Sequence, residues 1–425
     1  MPAEGNISGV QMKERKLHSA GRKVVAALLS ILTVISISAC GKKKEKLKPA
    51  QFGSYGADFA LKLAQTFPYR SAFSAGEQGA GLMIKNELET IGYEVETQEV
   101  SGGTAKVSYN YIVRIPGEGF MQRDSFGEYK EEHKTVVIGA HYDAPITYEQ
   151  RDYYPKYDGI QNNACGIGSL ITVAKQMYGH TYAYDVVIVA FGASSSNYLG
   201  AETFLNSLSA KEKKSIECMY CIESIYAGDK LYAHAGQSSL VEGNKYSFRR
   251  KLYEAYDVAY ENSLYSQTGT DLYYNMSLIN FDVNGDLIND EYREVTKVRS
   301  DYTVFDSQSI PIVFFESSDY NFSKLSDMKE TKNLTLQEHN GAVRDTALDS
   351  SEILKEALGD ERLETRINVV AFIVEKAVEK GSKDCVPISR YKAGERLDPT
   401  VAPKKKDDIS DTSDTGKETE ANKGE

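Results

Sequence analysis

Short β-branched runs alternate with helical periodicities along most of this chain. "DVVIVA", Asp185 to Ala190, is uniformly apolar, as is "TVVIGA", Thr135 to Ala140. Runs this short and uniform predict strands buried on both faces. "YEVETQEV" alternates in the manner of a strand, and "NYIVRIPG" reads as a second strand ending at a Pro-Gly turn. "CMYCI" and "IPIVFF", Ile310 to Phe315, add two more core strands. Between them the period changes. Ala57 to Thr66 predicts a helix, and Ile84, Leu88 and Ile91 mark another that stops at Gly92. "ACGIGSLITVAKQMYG" and Ala201 to Leu208 predict two more. Leu363, Ile367, Val370, Val374 and Ala377 place one face of a final helix on the core. Strands alternating with helices predict an α/β fold, a three-layer αβα sandwich with a mixed, largely parallel central sheet.

The two ends break this pattern. Lys13, Arg15, Lys16, Arg22 and Lys23 precede the apolar stretch Val24 to Ile37, which is too short for a mature spanning helix. It ends in "ISAC", which resembles a bacterial lipobox with Cys40 as the lipid attachment. The expected organisation is therefore a leader over 1–39, a lipid-anchored basic tether over 40–55, a domain over 56–380 and an extension over 381–425. From about 399 the extension has almost no apolar residues and is expected to be disordered. Such a chain is exported and anchored to the bacterial cell membrane on its extracytoplasmic side. The leader carries five Lys/Arg and two Glu, so its removal takes the formal net charge from −11 to −14. An acidic surface of that kind disfavours nucleic acid as a partner.

Four cysteines remain, at 165, 218, 221 and 385. The Cys218/Cys221 pair invites a redox or zinc reading. Residues three apart on a strand face opposite sides, however, so buried thiols are expected, with a disulfide to Cys385 the alternative. Asp282, Asn284 and Asp286 have the alternate spacing of a calcium loop. The glycine at its sixth position and the glutamate at its twelfth are missing, which leaves an ordinary acidic loop as the favoured reading.

The candidate chemistry begins with "GAHYDA", where His141 and Asp143 follow a core strand. A histidine ligand commonly needs a carboxylate to fix its tautomer. Taken with "GIQNNACGIGSL", "FGASSSNYLGAETF", "VRSDYTVFDSQSIPIVFF" and the helix–strand unit from Phe67 to Val100, the segment resembles metallopeptidase family 28. These are co-catalytic zinc aminopeptidases whose relatives include glutaminyl cyclases. The resemblance covers roughly residues 56–380.

It implies two zinc ions sharing a bridging Asp, each with a His, one with a Glu and the other with an Asp, and a second Glu as general base. Carried over by position, His141 is the first ligand and Asp143 its orienting carboxylate. Asn162 stands at the bridging Asp, Ser194 at the general base and Ser195 at the ligand Glu. Glu223 stands at the Asp ligand. His339 is the best candidate for the last His, although Asp345 follows it by six residues rather than the usual four. Tyr302 replaces the His of the Ser-Asp-His segment.

Serine brings no charge to offset a dication and is no base near neutral pH, and Asn162 offers only a neutral carbonyl. The expectation is a catalytically inactive domain that binds a peptide or partner in the same cleft and carries no metal pair. The alternatives are an exopeptidase with one zinc on His141, Glu223 and His339, aided by Asp158, and a structural partner in an envelope complex. A serine nucleophile at Ser194 is disfavoured, because "GASSS" lacks the second glycine of an elbow. Tyr-rich segments at 152–159 and 266–277 are expected near the cleft mouth.

Overall fold

Eight strands build the central sheet: β1 (Glu96–Ser101), β2 (Val107–Ile115), β3 (Thr135–His141), β4 (Asp185–Phe191), β5 (Ile216–Ile222), β6 (Lys230–His234), β7 (Leu272–Tyr273) and β8 (Ile312–Ser318). Their order across the sheet is β1-β2-β4-β3-β5-β8-β6-β7. The inner pairs β4/β3, β3/β5 and β5/β8 are parallel, as is β6/β7. The pairs β1/β2, β2/β4 and β8/β6 are antiparallel. This is a mixed, largely parallel α/β sheet. The computed structural model describes residues 47–397 apart from 242, 277–279, 282–286, 288–289, 292 and 323–326. The lipobox with Cys40, most of the acidic 282–290 segment and the chain from 399 lie outside the described residues. No described helix is long and apolar enough to cross a membrane.

Strand parity explains why the inner runs are uniformly apolar. On β4, Val186, Ile188 and Ala190 enter one core layer, while Val187, Val189 and Phe191 enter the other. Helices α1 (Tyr55–Thr66), α2 (Ala75–Ile91), α3 (Cys165–Met177) and α5 (Arg250–Glu261) cover the first layer. So do α7 (Ser351–Leu358) and α8 (Arg362–Glu379). Helices α4 (Leu199–Ser207) and α6 (Tyr302–Ser307) cover the second, through Phe204 and Phe305. On α8, Ile367, Val370 and Val374 are fully buried, each stabilising the fold by roughly 1.5–3 kcal/mol. Gly92 ends α2 with φ 120°, a conformation glycine adopts without strain. Cys218 and Cys221 fall in opposite core layers, and all four described cysteines are buried free thiols. Among the described residues no disulfide joins Cys385.

The folded unit overruns the boundaries expected from the sequence at both ends. Pro49–Phe52 forms a short 3₁₀ turn whose Phe52 ring packs against Phe372 of α8, 6.2 Å between centroids. Past 380, Cys385–Pro387 pairs with Phe120–Arg123, which pairs with Tyr129–Glu132. The buried side chains of Phe52, Phe120 and Val386 carry these additions. Each of these elements is only three or four residues long, too short to show a period.

Candidate functional site

The inner parallel strands all deliver their C-terminal ends to one edge of the sheet, the position where open α/β folds place ligands. His141 closes β3, the "GASSS" turn follows β4, and Glu223 follows β5. Together with Asn162, Tyr198, Arg299, Arg344 and Asp345 they line a cleft of about 480 Å³. The backbone there is unusually constrained. Ala193, Asn197, Tyr198 and Ser224 all hold positive φ values, between 51° and 60°, which non-glycine residues adopt at a cost.

One asparagine ties the strand ends to the helix. Asn163 Nδ2 donates to the carbonyls of Ile222 (2.9 Å) and His141 (3.3 Å), and its Oδ1 accepts from the N–H groups of Gly166 and Ser224. Gly166 leaves room for this: a Cβ there would lie 2.3 Å from Asn163 Oδ1 and 2.6 Å from the Ile222 carbonyl oxygen. Gly166→Ala is expected to destabilise the protein by about 1–3 kcal/mol in urea unfolding, as an overpacked core does.

Asp143 is fully buried beneath the cleft floor and is held by the serine turn. Its carboxylate accepts from the N–H groups of Ser194 and Ser195, each 2.9 Å, and from Ser195 Oγ at 2.6 Å. His141 Nδ1 lies 3.0 Å from the Asp143 carbonyl oxygen and 3.5 Å from its Oδ1. Burial alone would raise the Asp143 carboxyl, but the hydrogen bond and charge of His141 and the hydrogen bonds from Ser195 outweigh it and hold it below its ordinary value. Ser194 Oγ donates to Asp301 Oδ2 at 3.1 Å. Burial first, then the charges of Glu223 and Asp143, push Asp301 up to about 7.

On the other side of His141, Nε2 lies 3.6 Å from Glu223 Oε2. Burial opposes charge on His141, yet the carboxylates of Asp143, Glu223 and Asp301 prevail and raise it to about 10. A histidine raised in the fold contributes stability that is complete below its unfolded value near 6.5 and is lost as pH climbs through 10. Thermal stability is therefore expected to fall between pH 7 and 10. His141→Gln should flatten that decline by a few kcal/mol at the order-of-magnitude level, read as the difference between the two melting-temperature profiles.

Arg344 completes the cleft. Its Nη1 donates to Glu223 Oε1 at 2.8 Å, Nη2 lies 3.4 Å from Glu316 Oε2, and Nε lies 3.7 Å from Glu330 Oε1. Asn162 Nδ2 donates to Asp345 Oδ1 at 2.6 Å, while Asn162 Oδ1 is buried with no hydrogen-bond partner.

Five of the residues picked from the sequence thus meet in one cleft: His141, Asn162, Ser194, Ser195 and Glu223, with Asp143 behind them. His339 does not join them. It is exposed on a turn and does not line the cleft, because its loop presents Arg344 and Asp345 instead. Asp158 is also elsewhere: its carboxylate accepts from Ile160 N and Ser351 N, at the start of α7. Tyr302 faces the core, its ring 4.7 Å from Phe314. The 152–159 segment packs on Tyr69 through Tyr157, and no described residue of either Tyr-rich segment lines the cleft. Sequence reasoning missed Arg344, Arg299 and Asp301. The available signal for the first was a basic residue directly before Asp345.

This donor set does not fit two zinc ions. A guanidinium already sits on Glu223, Asn162 offers only a neutral carbonyl, and the serines are uncharged. Among the described residues no three His, Cys, Asp or Glu side chains are disposed to hold a metal.

A second cavity, about 410 Å³, lies at the opposite ends of β3, β4 and β5, near His133 and Phe204. It lies away from the cleft and shares none of its lining residues.

The model of peptidase family M28 matches residues 126–347, the span that holds every cleft residue named above. The alkaline phosphatase isozyme conversion protein of Escherichia coli K12 is 22% identical over 376 residues, covering 86% of this chain and 99% of that protein. A zinc aminopeptidase structure from Bacillus subtilis is 12% identical with a TM-score of 0.52, covering 80% of this chain and 98% of the other. A glutaminyl cyclase from an Acidobacteriales bacterium is 15% identical with a TM-score of 0.52, covering 80% and 99%. A Zn-dependent exopeptidase from Parabacteroides distasonis, 15% identical with a TM-score of 0.51, covers 77% and 98%. These structures share the fold, and the family match covers more than half of the chain: the protein belongs to peptidase family M28.

Proposed function

We propose that this M28 domain is catalytically inactive and works as a lipid-anchored envelope protein that binds a peptide or protein segment in its cleft. The observation that carries the reading is the fate of the substituted positions. Ser194 and Ser195 bond Asp301 and Asp143, and Asn162 bonds Asp345, so none of the three offers a free base or an anionic metal ligand. Hydrolysis at neutral pH needs a water whose proton is weakened by a cation and accepted by a positioned base. Neither is supplied by these side chains. What remains is a polar cleft lined by Asn162, Asn197 and Tyr198, with the exposed Arg299 at its rim. Such groups suit the N–H donors and carboxylates of an extended peptide.

The rival reading, a single-metal exopeptidase, draws on His141 and Glu223 facing each other at 3.6 Å. Arg344 opposes it, because a cation would have to displace or tolerate a guanidinium on the same carboxylate. The experiment is a pull-down from detergent-solubilised envelopes with the lipidated full-length protein, alongside peptide binding by the purified chain. Binding that is lost in Asn162→Leu supports the cleft. A stoichiometric protein partner that is indifferent to Asn162→Leu would favour a structural role, and leucine or other N-terminal residues released by the purified chain would favour the exopeptidase. The export and anchoring part is tested by labelling with radioactive palmitate, which Cys40→Ala should abolish.

A further inference from the structure

We infer that Arg344 is the fixed internal cation of this cleft, standing in electrostatically for the metal ions and making the site independent of them. The inference holds whatever ligand the cleft takes. Three carboxylates from three separate segments converge on one guanidinium: Glu223 after β5, Glu316 on β8 and Glu330 in the following loop, at 2.8, 3.4 and 3.7 Å. All three are largely buried, with side-chain exposures of 5%, 1% and 12%. Buried carboxylates without a counter-charge are strongly destabilising, so a cation is required here for the fold to persist. Arginine suits the position because its fork reaches several carboxylates at once and stays charged. The surrounding carboxylates raise it further, against the effect of burial.

The loop is built to aim it. Glu330 Oε2 accepts the backbone N–H groups of both Val343 and Arg344, and Glu330 Oε1 accepts from Gln161 Nε2 at 2.9 Å. The carboxylate that faces the guanidinium therefore also holds its backbone. An imidazole lies beyond two of these carboxylates: His141 on the far side of Glu223, and His234 Nε2 3.1 Å from Glu316 Oε1. A zinc ion bonded to a carboxylate oxygen sits about 2.0–2.2 Å from it. With Nη1 at 2.8 Å from Glu223 Oε1, guanidinium and metal would compete for that oxygen.

The test is a double-mutant cycle on the full-length protein, using Arg344→Met, Glu223→Gln and both together, read by urea unfolding. Arg344→Met is expected to lower the folding equilibrium constant by about 100-fold or more, because it leaves three carboxylates without their shared cation, and Glu223→Gln to lower it less, because Arg344 keeps Glu316 and Glu330. The double variant should recover at least about 10-fold over the product of the singles. Additive losses would overturn the proposal, since an arginine that serves only by packing gives no coupling to Glu223. Should Arg344→Met fail to fold, two further measurements decide. Arg344→Lys, which keeps the charge, should fold and should be more stable than Arg344→Gln. The wild-type melting temperature should be unchanged by zinc or by chelator. An Arg344→Lys protein no better than Arg344→Gln, or a wild type that melts higher with zinc, contradicts it.

Discussion

Supplied with zinc and an aminoacyl chromogenic substrate, the purified protein is expected to turn over at least about 10⁴-fold more slowly than the Bacillus subtilis zinc aminopeptidase assayed beside it. General-base catalysis accounts for about 10²–10⁴-fold, and Ser194 cannot provide it. The lowered pKa of a metal-bound water is a separate contribution, and among the described residues no three His, Cys, Asp or Glu side chains are disposed to hold that metal. Restoring the family residues should not restore the rate. Ser194 Oγ lies 3.1 Å from Asp301 Oδ2, so Ser194→Glu crowds two carboxylates into a buried site already holding Asp143. Arg344 would still occupy Glu223. The triple variant Asn162→Asp, Ser194→Glu, Ser195→Glu is therefore expected to be less stable than the wild type and still inactive. A triple variant that gained robust zinc-dependent turnover would show that the substitutions alone silence the site and that Arg344 does not.

The largest effect on stability is expected at Arg70, which is wholly buried and satisfied by backbone alone. Its guanidinium donates to the carbonyls of Tyr142 (2.7 Å), Asp158 (2.7 Å), Gly159 (2.7 Å) and Phe67 (3.2 Å). Tyr142 belongs to the loop after β3, and Asp158 and Gly159 to the turn before Asn162, the two segments that set the cleft floor, while Phe67 is the C-cap of α1. Gly159 is held at φ 64°, and its N–H and that of Asp158 donate to the Asp349 carbonyl, so the clamp holds the turn from the side that these bonds leave open. Arg70→Met leaves four buried acceptors facing a thioether chain. The expected loss is about 3–5 kcal/mol, since each orphaned buried polar group costs about 1–3 kcal/mol and the loops relax in part. Urea unfolding with an unchanged slope measures it. A loss under about 1 kcal/mol would mean that water replaces the guanidinium, and that the clamp adds little.

The core of the fold was readable because its strands are uniformly apolar and its helices periodic. Asp185–Phe191 and Thr135–His141 stand out for that reason, and the cleft sits where their ends converge. The edges were less readable. The hairpin at Phe120–Glu132 is mostly polar on its exposed side, and β7 is only two residues long. Helix α5 packs Leu252, Ala255 and Val258 but surrounds them with charge and tyrosine. Within the cleft, motif position placed His141, Asn162, Ser194, Ser195 and Glu223 together. It failed at His339, because the loop after Glu330 departs from the family spacing and only three-dimensional contact reveals that Arg344 faces Glu223. A single sequence shows which carboxylates have gone. It does not show which cation now accompanies those that remain.

The most direct test of this account is the metal content of the full-length protein after purification in excess zinc and removal of free metal, measured by elemental analysis. A cleft whose Glu223 is already engaged by Arg344 should retain zinc only in substoichiometric amounts, with the same melting temperature before and after chelation. Two tightly held zinc ions per chain, lost together with stability on chelation, would contradict it.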